Sequence, residues 1–142
     1  MPTAYLTRIV EFTATHRFPD TPEFAGATDD HSHRYKCAVT VKGVFDPARG
    51  GGGVMSLPAL KALLQREVVA RFDGRHINKD IAPFSAGTWV ATGEALAVHV
   101  WERLAGALPL LRIPRRIVNP AIAPAACAPT RPWSRSGPCG WK

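Results

Sequence analysis

Residues 31 to 33 read His-Ser-His. In an extended chain residues two apart point to the same side, so the two imidazoles project together. His16 ends another alternating stretch, also on its apolar side, and pairing of the two strands would bring three imidazoles to one point. Three neutral imidazoles with a fourth position left open are what a catalytic zinc ion prefers. Such a metal polarises a carbonyl or hydroxyl oxygen, or lowers the pKa of a bound group. The alternative for an isolated His-x-His is a pair of surface polar residues. Against it stands the placement of all three histidines on apolar faces, where a metal-free cluster would leave ring nitrogens short of partners.

The elements that must carry these side chains are legible in the pattern. Residues 4 to 16 alternate, with Leu6, Val10, Phe12, Ala14 and His16 on one side, interrupted by Arg8, and Tyr5, Thr7, Ile9, Glu11, Thr13 and Thr15 on the other; this predicts a half-buried strand. Pro19, Pro22 and Gly26 mark residues 17 to 30 as a loop, long enough to be functional. A second strand is expected over 31 to 45, with His31, His33, Tyr35, Cys37, Val39 and Val41 facing inward. After the turn at Asp46-Pro47 and Gly50 to Gly53, Ser56 can cap a helix over 57 to 72 with an apolar row of Leu57, Leu60, Leu64, Val68 and Phe72. Pro58 fits only in its first turn. A second helix should start near Thr92 and bury Ala97, Trp101, Leu104 and Leu108. Closing strands are poorly supported, because six prolines follow Pro109 and only Ile117 and Val118 look strand-like.

The 142 residues, 46% of them hydrophobic, suit one compact domain. The net charge of +7 is confined to the end: residues 1 to 102 hold 11 basic and 11 acidic side chains, and residues 103 to 142 hold 7 basic ones and no acid. A body balanced at zero, and a basic segment without helical periodicity, argue against nucleic acid as partner. Cys37, Cys127 and Cys139 form no even framework, which points to a reducing compartment. No apolar run reaches the ~18 residues of a membrane span, so the expectation is a soluble cytoplasmic protein with no membrane partner.

Taken in order, Phe12-Thr-Ala-Thr-His16-Arg-Phe-Pro, His31-Ser-His33-Arg-Tyr-Lys, Val44-Phe-Asp46-Pro, Val54-Met-Ser-Leu-Pro-Ala-Leu60-Lys61, Phe72-Asp73 with Ile77-Asn78, and Thr92-Gly-Glu94 running to Trp101-Glu-Arg-Leu resemble the 6-pyruvoyl-tetrahydropterin and 6-carboxy-tetrahydropterin synthase family. The resemblance spans about residues 5 to 109, and the combination is what makes it specific. It implies an α+β tunnelling fold (T-fold), a β-β-α-α-β-β subunit with an antiparallel sheet and two helices on one face, assembling into homo-oligomeric barrels built from trimers. It implies a zinc ion on His16, His31 and His33. The implied substrate is 7,8-dihydroneopterin triphosphate, and the 6-carboxy branch, a carbon-carbon lyase leading toward queuosine, is the first reading; the 6-pyruvoyl branch and a non-catalytic zinc- and pterin-binding paralogue are the alternatives. Thr92 and Glu94 match the segment lining the pterin pocket, although helix capping explains the same two residues. Arg17, with Arg34 and Lys36, suits the polyphosphate.

Three departures stand out. The family's cysteine base would fall in the loop before His31, where Ala25 and Ala27 stand instead; Glu23, Asp29 and Asp30 are the acids available there. The family's proton-relaying Asp-His pair is met only by Asp73, with Gly74 next and His76 beyond, so an Asp73–His76 pair is the expectation. The glutamate that would anchor the pterin edge has no counterpart, since no acid follows Glu102. The chain is accordingly divided into a pterin-synthase-like domain at 1 to 109 and a divergent basic Pro/Ala-rich segment at 110 to 142, read either as a frameshifted product or as a disordered extension.

Overall fold

The computed structural model describes residues 2–48, 53–107 and 116–124. Strands β1 (Thr3–His16) and β2 (His31–Val44) are 14 residues each and pair antiparallel along their whole length, from Thr3 opposite Val44 to His16 opposite His31. The alternation in the sequence becomes two faces. Phe12, Ala14, His16, Tyr35, Cys37, Val39 and Val41 are buried inward, while Tyr5 and Ile9 are exposed outward.

Helix α1 (Leu57–Leu64) starts where Ser56 accepts the Ala59 N–H at 3.3 Å, with proline in the first turn. It runs on through a π turn at Gln65–Val69 into α2 (Ala70–Phe72). Leu60, Leu64, Val68 and Phe72 are fully buried as the spacing predicts, but Leu57 is 43% exposed at the first position of the helix. Gly74, with φ +69, turns the chain into β3 (Arg75–His76), two residues lying parallel to β1 with Ala14 opposite Arg75 and Thr15 opposite His76. A short α3 (Ile77–Asp80) follows, then α4 (Gly93–Ala107).

The buried row of α4 is Leu96, Val100, Leu104 and Ala107, one position away from the expected row for most of its length. Trp101 is 44% exposed, Ala97 only borders the core, and Leu108 lies outside the described residues. Two adjacent rows are both apolar at helical spacing, and the aliphatic row wins because it can be dehydrated with no indole N–H to satisfy. The helices contribute to one core with the inward face of the sheet.

Strand β4 (Arg116–Pro124) pairs antiparallel with β2, from Tyr35 opposite Pro124 to Lys42 opposite Arg116, with a register shift between Thr40 and Val41. This is more strand than the prolines led one to expect. The sheet order β3-β1-β2-β4 explains it: β4 is an edge, where a residue without an N–H can face away from the ladder. The rest of the segment from 110 onward lies outside the described residues. Among the described residues, no helix is long and apolar enough to cross a membrane.

Candidate metal centre

The hairpin register builds the site. It sets His16 directly opposite His31, and sets Ala14, with a single methyl group, opposite His33. The ring centroids lie 4.5 Å (His16–His31), 5.1 Å (His16–His33) and 4.9 Å (His31–His33) apart. One nitrogen from each ring lies within 4.8 Å of the others. The convergence expected from the two strand patterns is therefore present.

Backbone carbonyls orient two of the rings. His16 Nδ1 donates to the Ala91 oxygen at 2.9 Å, and His31 Nδ1 donates to the Asp29 oxygen at 2.7 Å. A carbonyl can only accept, so the proton sits on Nδ1 and the Nε2 lone pair is left for a ligand. In His16 that Nε2 is buried and has no hydrogen-bond partner. Burial lowers the His16 pKa from 6.5 to about 4, against the Ala91 bond, which raises it, and with the neighbouring imidazoles adding to the fall. Desolvation and the charge of His31 lower His33 in the same direction. Neutral rings with an orphaned inward lone pair fit a divalent metal of the borderline-soft kind.

Aromatic rings wall the site. Phe18 meets His16 edge-on at 4.8 Å, and Tyr35 lies 6.2 Å from His16 and 5.9 Å from His33. Burial pushes the Tyr35 phenol up to about 12, so it is neutral. The loop between the strands is held by Phe18 stacked on Phe24 at 4.6 Å and by the Phe18 N–H donating to the Ala27 oxygen at 3.1 Å.

A second cluster sits beside the first. His76 Nε2 lies 3.0 Å from Asp30 Oδ1, a close contact that is not aligned as a hydrogen bond, and His76 Nδ1 is likewise buried without a partner. Lys79 Nζ lies 3.1 Å from Asp30 Oδ2, and the Arg17 guanidinium 4.0 Å from Oδ1. His76, then Lys79, hold the Asp30 carboxyl below the usual carboxylate range. The expected Asp73–His76 pair is replaced by this one. Asp73 Oδ1 instead accepts the Thr13 N–H at 2.8 Å while the Gly74 N–H donates to the Thr13 oxygen at 2.8 Å. The turn thus commits Asp73 to clasping β1.

Of the other expected residues, Thr92 Oγ1 caps α4 by accepting the Ala95 N–H at 3.3 Å, and Glu94 is an exposed acid in its first turn. Arg34 and Lys36 engage Glu11 on the outward face, away from the imidazoles. Arg17 remains beside the site, its backbone N–H held by Asn78 Oδ1 at 2.9 Å. The two carbonyls that orient His16 and His31 were not foreseeable, because a main-chain oxygen has no signature in residue type.

Comparison with known proteins bears on this geometry. The family model described as 6-pyruvoyl tetrahydropterin synthase matches residues 5–117. The chain is 36% identical over 115 residues to a 6-pyruvoyl tetrahydrobiopterin synthase of Poecilia reticulata, covering 74% of this chain and 76% of that one. It is 32% identical over 117 residues to the human protein of the same name, covering 75% and 78%. The solved structure of Caenorhabditis elegans 6-pyruvoyl tetrahydropterin synthase superposes with a TM-score of 0.64 at 23% identity, covering 89% of this chain and 98% of that one, a likeness of fold.

Proposed function

The chain belongs to the 6-pyruvoyl tetrahydropterin synthase family, and on that premise we propose that it is a zinc-dependent lyase that removes triphosphate from 7,8-dihydroneopterin triphosphate. The observation that carries the proposal is the inward trio His16, His31 and His33 with its orphaned Nε2. The 6-pyruvoyl branch is favoured over the 6-carboxy branch that the motifs alone put first, because the curated relatives cited above bear the 6-pyruvoyl name.

The three histidines would hold the ion. A zinc ion there supplies Lewis acidity toward the substrate's side-chain hydroxyls, which makes the adjacent C–H positions easier to deprotonate. The chain's own residues do the rest. Ala91 and Asp29 aim the rings through their carbonyls, and Phe18 and Tyr35 exclude water from them. His76 takes up and returns the proton, since the loop before His31 offers no thiol. Asp73 holds the turn from which His76 projects. Arg17 meets the polyphosphate, and Thr92 and Glu94 border the pterin ring beside the Ala91 carbonyl. Self-association through the sheet edge and a cytoplasmic location complete the proposal.

The test is to incubate the pure protein with zinc and 7,8-dihydroneopterin triphosphate and follow products by mass spectrometry. Triphosphate release without acetaldehyde supports the proposal. Acetaldehyde would instead assign the 6-carboxy branch, and zinc bound without turnover would assign a non-catalytic paralogue.

A further inference from the structure

The Asp30–His76 contact joins residues 46 positions apart in the chain, and it is the unplanned part of the site. His76 is nearly enclosed, its side chain 14% exposed, and neither ring nitrogen has an aligned partner. A buried polar atom without a partner is costly and calls for a reason. Other carboxylates nearby are already committed: Asp73 to the Thr13 N–H, and Asp80 Oδ2 to the backbone N–H of His76 itself at 2.9 Å. Asp30 is left for the imidazole. Lys79 holds its Oδ2 from the other side, so Oδ1 stays turned toward Nε2.

We propose that Asp30 is the positioning residue for His76, selecting the tautomer that carries its proton on Nε2 so that proton exchange runs through Nδ1. The electrostatics decide this whatever the angle of the contact. A bare Nε2 lone pair 3.0 Å from a carboxylate oxygen is repelled, whereas an N–H there is attracted. Nδ1 is then the basic atom. A proton it accepts leaves an imidazolium, and the adjacent Asp30 carboxylate offsets the new charge. Neighbouring residues 29 and 30 thereby brace two imidazoles by different means: Asp29 holds His31 through its carbonyl, and Asp30 holds His76 through its side chain.

The proposal is tested first without any substrate. In the full chain labelled with nitrogen-15, the imidazole resonances of His76, identified by their loss in His76→Gln, should show a neutral ring with a protonated Nε2 and a bare Nδ1. Asp30→Ala should shift the ring toward the other tautomer, and Lys79→Gln, which loosens Asp30 without removing its carboxylate, should shift it less. A bare Nε2 in the wild type, or an unchanged ring in Asp30→Ala, overturns the proposal. Its catalytic consequence rests on the function proposed above. With dihydroneopterin triphosphate, Asp30→Asn should lower kcat about 10- to 100-fold, the range of a weakened acid-base group, with KM and zinc content little changed and partial rescue in Asp30→Glu. An Asp30→Asn protein as fast as wild type overturns that consequence. A wild type that converts nothing overturns the proposed function, and the resonance result still decides the role of Asp30.

Discussion

His16 donates from Nδ1 to the main-chain oxygen of Ala91, 2.9 Å away in space and 75 residues away in sequence. One hydrogen bond thus ties the end of β1 to the segment entering α4 and points the remaining nitrogen into the site. His31 is tied the same way, but to Asp29, only two residues upstream.

The metal content of the protein follows from this arrangement. The wild type should carry about one zinc per chain, and His16→Ala, His31→Ala and His33→Ala should each carry little, as expected when a three-ligand site loses one ligand. Elemental analysis of the purified proteins checks this. Zinc retained in full by His33→Ala would remove that ring from the ligand set.

Zinc should also raise the thermal stability of the folded chain, since a ligand that binds only the native state stabilises by mass action. At a free concentration 100 times the dissociation constant the gain is about 2.7 kcal/mol. A chelator titrated against the loaded protein should reverse the shift in Tm.

For the metal-free protein, stability should depend on pH through His16. Its pKa is about 4 when folded, against 6.5 for a free ring. Between these values the unfolded chain binds more protons, so stability is complete above about pH 6.5 and is lost as the pH falls toward 4. With partial solvent access allowed for, the loss is of order 1 to 2 kcal/mol. Denaturant melts at several pH values measure it, and His16→Gln should flatten the slope.

The phase of α4 predicts a contrast between two neighbouring rows. Leu104→Ala should cost about 2 to 5 kcal/mol, because Leu104 is fully buried. Trp101→Ala, on the exposed side, should cost within about 1 kcal/mol despite the larger side chain. Equal losses would mean that the indole is covered in solution.

Removing the clasp on β1 should act on folding. Asp73→Ala leaves the Thr13 N–H without its carboxylate and should destabilise by about 1 to 3 kcal/mol. A thermal melt reads this, and loss of turnover with unchanged Tm would give Asp73 a direct chemical role instead.

Much of the site was legible because strand alternation is local. His16, His31 and His33 could be placed on inward faces from period two alone, and the antiparallel register then had one way to join them. The helix phase was less legible, because Leu96 and Val100 stand next to Ala97 and Trp101 and both rows satisfy the same spacing. Strand β4 was hidden by prolines whose cost vanishes at an edge. The Asp30–His76 pairing joins the loop before β2 to the two-residue β3, and neither has a periodicity from which to read it.

The route by which the chain reaches its native state is bound up with the bond from His16 to Ala91. All three ligands belong to the β1–β2 hairpin, whose contacts nearest the connecting loop span short stretches of chain and can form early. The anchor for His16 arrives only when the segment around residue 91 has docked. Full cation affinity is therefore a property of the finished domain rather than of its first hairpin, and a truncated product of synthesis would hold the ion weakly.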